Sequence, residues 1–255
     1  MGKMNFSAEF AENYEQKCLC VLVLDTSGSM NEIVDSSNVV ATGETIFMDG
    51  KQYNIVTGGV SKLDGLNEGL RSFYDEIRND ETISQRLEVA LITFNDIVSV
   101  VDGPCLVENS CLPELMAEGE TALVDAVNEA IEMVDARKKW YRSTGQPYYR
   151  PWIILMTDGE PSSNQDISLL AKRIKEDTAA KRYEFLPIGV DNANMSVLQQ
   201  LSSGRIPAMK LKGTKFSDFF KWLSASMNTI VNTEEGQKAD LSQGGTDWMD
   251  SFVCG

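Results

Sequence analysis

The sequence predicts an α/β fold in which a mostly parallel central sheet lies between two layers of helices, and three observations carry that expectation. Residues 18–24, 89–93 and 152–156 are continuous apolar runs of strand length, the pattern of strands buried on both faces. Each run is followed closely by polar residues or glycine. Segments with a helical period stand between the runs, so strand and helix alternate along the chain, as they do where parallel strands are joined by helical crossovers.

Taken in order, residues 18–24 form the first strand, with Cys18 and Cys20 pointing to one face as small buried hydrophobes. Leu63, Leu66, Leu70, Phe73, Tyr74 and Ile77 recur at helical spacing and define the first helix. Residues 89–93 are the next buried strand. Residues 98–101 follow it across Asn95-Asp96, a connection so tight that it suits an antiparallel edge hairpin. Leu123, Val127, Ala130, Ile131 and Val134 mark another helix; residues 152–156 and 185–190 are strands, with a helix over 167–180 between them. A helix over 195–201, a short strand over 208–211 and a last helix over 216–231, apolar at Phe216, Phe219, Phe220, Leu223, Met227 and Ile230, complete the series. Together these elements describe a doubly wound, Rossmann-like three-layer sandwich with one antiparallel edge strand.

One segment breaks the alternation. Residues 31–59 have no helical period, and Asp49-Gly50 stands between β-forming residues, a strong hairpin signal. This insertion leaves the end of the first strand and is expected beside whatever binds there. Ile46, Phe47, Tyr53 and Ile55 are more apolar than a solvated loop needs, so they either cover the domain's own sheet edge or helices, or meet a partner. The expected organisation is a polar N-terminal segment over 1–17 and a domain over 18–232 that carries the hairpin insertion at 31–59. A polar tail over 233–255 follows, extended or partly disordered, with Trp248, Met249, Phe252 and Val253 as its anchors.

Composition narrows the function. The chain of 255 residues has 42% hydrophobic and 24% charged residues, an ordinary globular mixture that excludes global disorder. Its formal charge of -15, from 23 Lys and Arg against 38 Asp and Glu, repels phosphate backbones and anionic lipid, so neither nucleic acid nor membrane is an expected partner. Residues 1–17 have no apolar stretch, and Phe6 stands where a myristoylation signal needs Ser or Thr; a cytoplasmic location is expected. In that reducing setting the five cysteines read as thiols, although Cys105 and Cys111 could close a loop.

Ligands of open α/β sheets bind in the crevice at the carboxyl ends of the strands, and two of those ends are acidic here. Asp25-Thr-Ser-Gly-Ser-Met30 follows the first strand and Thr157-Asp-Gly-Glu-Pro161 follows residues 152–156. If these strands are neighbours, Asp25 and Asp158 meet, and like charges about 4 Å apart repel by roughly 4 kcal/mol at an effective dielectric of 20. A cation would resolve that conflict. Ser27 and Ser29, with Gly28 allowing a sharp turn, offer hard oxygen donors suited to magnesium, manganese or calcium. Zinc or copper has no comparable claim, because the chain contains no histidine.

Asp25-x-Ser27-x-Ser29, Thr121 after Glu118-Gly-Glu120, and Thr157-Asp158-Gly159 resemble the metal-ion-dependent adhesion site of von Willebrand factor A domains. The order and the elements match from about Cys18 to Val231. The run 157–161 and the acidic character resemble the bacterial intracellular branch similar to tellurium-resistance-associated proteins. The resemblance implies that Ser27 and Ser29 ligate the metal directly, that Thr121 joins in an open state and that Asp25 and Asp158 act largely through water. An ion so held is electron-poor and favours an outside carboxylate as its last ligand, which implies a protein partner supplying Glu or Asp.

Each motif has a blander reading. Asp25, Ser27 and Ser29 can form a turn and a helix cap, Asp158-Gly159 a turn, and Thr121 the cap of the following helix. Asp125 and Glu160 could touch the site or simply be solvated, and Glu32 and Asp35 could hold a secondary calcium. A rival function is a magnesium-dependent phosphotransferase of the haloacid-dehalogenase kind, but its second aspartate, two residues after the nucleophile, is Ser27 here. Serine-hydrolase chemistry lacks its histidine, and phosphate-binding glycine loops are missing from the sequence. A metal-free scaffold is the third reading; the expectation is a binding domain, not an enzyme.

Overall fold

The computed structural model describes residues 14–48, 51–159, 165–202, 206–213, 215–233 and 248–249, with the side chains of 48, 51, 53 and 56 excepted. Most of the N-terminal segment, the Asp49-Gly50 turn, Glu160, Pro161, Phe252 and Val253 lie outside the described residues.

The centre of the molecule is β1 (Cys18–Asp25), an eight-residue strand buried along its whole length. It pairs in parallel with β6 (Leu87–Phe94) on one side and with β8 (Trp152–Thr157) on the other. Beyond β8 follow β9 (Glu184–Gly189) and the short β10 (Met209–Lys210), both parallel. Beyond β6 lies β7 (Val98–Leu106), antiparallel, as the Asn95-Asp96 connection requires. β7 runs five residues further than the apolar run 98–101, through Asp102, Gly103 and Pro104. Its edge position permits this: register shifts absorb the misfit, and proline needs no ladder partner on its open side.

Alternation along β1 divides the core. Cys18, Cys20, Leu22 and Leu24 face α1 (Lys62–Arg78) and α6 (Phe216–Asn232). Leu19, Val21 and Val23 face α3 (Leu123–Thr144), α4 (Ile167–Ala179) and α5 (Met195–Leu201). This is the expected mostly parallel sheet with helices on both faces. A single turn, α2 (Ile83–Arg86), leads into β6. The thiols of Cys18, Cys20, Cys105 and Cys111 are all free. Among the described residues no helix is long and apolar enough to cross a membrane.

The insertion folds as two small antiparallel sheets. β2 (Ile33–Asp35) pairs with β5 (Val60–Ser61) at its base, and β3 (Val40–Met48) with β4 (Lys51–Thr57) along its length. Beyond the base, the β3–β4 strands pack chiefly on each other, leaving Val40, Ile46 and Phe47 exposed. At the base, Ser61 caps α1 in a reciprocal box with Asp64, which fixes where the arm ends and the helix begins. At the other end of the chain, Trp248 is buried with its ring 5.0 Å from Phe219 and 5.2 Å from Trp222, and its carbonyl accepts from Lys212 N at 2.7 Å.

Candidate metal centre

Strand order reverses at β1, whose sequence neighbours cross to both sides, and the crevice at its carboxyl end is where the fold places a ligand. Asp25 closes β1 and is fully buried. Its Oδ1 accepts from Ser27 N at 2.8 Å, an Asx turn that bends the chain across the sheet's edge, and its Oδ2 accepts from Thr157 Oγ1. Because Leu24 is in register with Met156, Asp158 emerges on the same edge. The Oγ atoms of Ser27 and Ser29 stand 3.1 Å apart, and Ser29 Oγ donates to Asp158 Oδ1 at 2.7 Å. One row of oxygens therefore links the two strand ends.

A third loop is stitched to the first by backbone. Gly28 N donates to Gly119 O at 3.0 Å and Glu118 N to Thr26 O at 2.9 Å, while Ala122 N donates to Asn95 O at 2.6 Å. Gly119 has φ +73, a conformation that favours glycine, and a Cβ there would stand 1.6 Å from Asp96 Oδ1, so a side chain would also have to displace that carboxylate. These bonds set the buried Thr121 over the same spot. A Cβ built on Gly159 would come within 3.1 Å of Thr121 Oγ1 and 3.6 Å of Asp25 Oδ2, so the missing side chain leaves room between those oxygens. All five sequence-predicted residues thus converge, and their hard oxygen donors fit a divalent cation.

The charges are also arranged. Burial pushes the Asp25 carboxyl above the usual carboxylate range, against the hydrogen bonds from Ser27 and Thr157, with Asp158 adding to the rise. Sequence reasoning did not single out Lys62, the first residue of α1. It is only 2% exposed, and its Nζ lies 2.7 Å from Asp158 Oδ2, 2.7 Å from Glu32 Oε2 and 3.2 Å from Asp191 Oδ2. Burial alone would lower its pKa, but the hydrogen bonds to Asp158 and Glu32 outweigh burial and hold it above the ordinary lysine value. The expected repulsion at Asp158 is therefore already met in part by an internal ammonium. No local signal could have found Lys62, since a lysine at the start of a helix is ordinarily solvated; only the fold brings it to three acids. Glu32 is committed to Lys62, Asp35 accepts from Ser37 N, and Asp125 is exposed with Gln165 Nε2 at 3.4 Å.

The sheet order, the helices on both faces and this crevice define a doubly wound α/β fold with its candidate site at the carboxyl ends of the strands. A model of the von Willebrand factor type A domain matches residues 107–223, a span that includes Thr121 and Asp158 and leaves out Asp25, Ser27 and Ser29. The structure is similar to the PilB minor pilin from Streptococcus sanguinis (TM-score 0.54, 14% identity, 84% of this chain and 62% of the pilin chain). It is similar also to the conserved hypothetical protein BatB from Bacteroides thetaiotaomicron (TM-score 0.51, 16% identity, 85% of this chain and 100% of that chain). At such identities the likeness is one of fold, and the chain spans under two thirds of the pilin. No curated protein matches it by sequence.

Proposed function

We propose that this chain is a divalent-metal-dependent protein-binding module, with magnesium, or else manganese or calcium, held at Asp25, Ser27, Ser29, Thr121 and Asp158. The observation that carries this reading is the row Ser27 Oγ, Ser29 Oγ and Asp158 Oδ1 in front of buried Asp25, with Gly159 leaving space beside Thr121. The bound cation would supply a Lewis-acidic point that takes a Glu or Asp carboxylate of the partner. Thr157 and the backbone of Ser27 keep Asp25 turned toward the site. Both Asp25 oxygens are so engaged, which supports a binding role over the nucleophilic one that a phosphotransferase needs. The sequence 157–161 supports placing the module with the bacterial intracellular, tellurium-resistance-like branch, and we assign it to the cytoplasm.

Because a metal–carboxylate bond is nearly generic, specificity has to come from the surrounding surface, and the arm at 31–59 supplies it. Its exposed Val40, Ile46 and Phe47, the last 71% exposed, support docking against a partner over covering the chain's own sheet. Thermal melts with and without magnesium test the metal. At about a hundred times Kd the ion should contribute roughly 2.7 kcal/mol to the wild type and nothing to Asp25→Ala. Equal stabilisation of both proteins, or of neither by any of the three ions, would remove the proposal.

A further inference from the structure

Lys62 joins the candidate metal centre, the base of the arm and the loop after β9. Its Nζ bridges Asp158 at the end of β8, Glu32 before β2 and Asp191 after β9, and its backbone N donates to Glu32 O at 3.1 Å. The same carboxylate that binds this ammonium through Oδ2 receives Ser29 through Oδ1, so Asp158 has one face toward Lys62 and the other toward the serine hydroxyls. A second cation on the serine side must share Asp158 with the ammonium.

We propose that Lys62 is a built-in competitor of the divalent cation, which lowers the affinity of the centre and passes its occupancy to the base of the arm. This inference rests on the metal-centre reading. A unit and a double positive charge on opposite oxygens of one carboxylate repel by far more than the about 1.4 kcal/mol that a tenfold change in binding constant represents, even at an effective dielectric of ~20. A cation entering beside Ser29 therefore weakens the Lys62–Asp158 contact. The ammonium keeps Glu32 and Asp191, both more exposed and both outside the five-residue set, and its balance shifts toward them. Since Glu32 immediately precedes β2, the displacement is felt where the arm is hinged. The residue is thus a positioning and affinity-setting group, not a ligand.

Calorimetric titration of magnesium into wild type, Lys62→Met, Lys62→Arg and Asp25→Ala tests this. Lys62→Met should bind at least tenfold more tightly than wild type, and Lys62→Arg, which keeps the charge, should stay within about threefold of it. Equal or weaker binding by Lys62→Met, with wild-type binding intact and abolished by Asp25→Ala, would overturn the role of Lys62 and leave the metal centre standing. Absence of binding to wild type would overturn both. Should Lys62→Met fail to fold, the lysine ammonium NMR signal of wild type that disappears in Lys62→Arg decides. It should shift on magnesium addition while that of Lys138, on the other face of the sheet, does not; an unmoved Lys62 signal refutes the competition.

Discussion

Gly119 shows how much of the centre hangs on a single backbone angle. Its φ of +73 and the 1.6 Å approach of Asp96 Oδ1 to an ideal Cβ mean that alanine strains the loop that carries Thr121 and has to displace the Asp96 carboxylate. Gly119→Ala should cost at least about 1 kcal/mol and reduce the stabilisation by magnesium, both read from melts with and without the ion. Lys17 is a residue of the opposite edge. Fully buried, it donates to Gln85 O at 2.8 Å, and burial lowers its pKa to about 8 despite the nearby Glu88. A lysine depressed in the folded state binds fewer protons there than when unfolded, so its cost is full below pH 8 and fades as pH rises toward the unfolded value near 10.4. The stability of wild type relative to Lys17→Met should accordingly rise by roughly 1–3 kcal/mol between pH 7.5 and 10 in denaturant titrations. A flat difference would mean that Lys17 titrates normally.

At the scale of elements, the arm and the strand ends carry separate parts of the proposed function. β1, β8 and the loop before α3 hold the oxygens, and β1 is parallel to β8, which is why residues 133 positions apart in sequence reach one edge. The arm adds a surface without adding to the sheet: its base pairs β2 with β5, and beyond that β3 and β4 pair with each other. Replacing residues 31–59 by a short Gly-Ser linker should therefore leave the melting temperature within a few degrees of wild type while abolishing magnesium-dependent capture of the natural partner from cell extract. Collapse of the fold would show instead that the arm covers the core. Because that replacement removes Glu32, retained magnesium binding by the shortened protein also separates the metal centre from the arm.

For the whole molecule, closure depends on a contact that spans the chain. Trp248 packs between Phe219 and Trp222 on α6 and bonds through its carbonyl to Lys212, beside the last strand of the sheet. Truncation to alanine removes one of the largest buried side chains of the core and should cost about 3–5 kcal/mol in urea unfolding, with the helix pair α1 and α6 exposed first. An effect below about 1 kcal/mol would place this residue outside the cooperative unit.

The layered fold was legible because its signals are local. Buried parallel strands are apolar on both faces and amphipathic helices repeat at 3.6 residues, so β1, β6, β8, β9 and the helices α1, α3, α4, α5 and α6 stand out residue by residue. The position of the five proposed oxygen donors was legible for a related reason, since each follows a strand or precedes a helix where the fold places its crevice. The course of β7 through Pro104 was not, because whether a strand tolerates proline depends on its being at the sheet's edge. Trp248 was legible as an anchor, but not where it docks, because α6 and β10 must already be in place to define its pocket. Lys62 is the clearest case: nothing in its local sequence distinguishes it from a solvated helix residue, and its pairing with Glu32, Asp158 and Asp191 arises only when three distant segments meet. Charge acts through space, whereas pattern acts along the chain. The sequence by itself determined the layers and singled out the residues proposed as oxygen donors; the tertiary structure alone decided which cation of the chain's own stands among them.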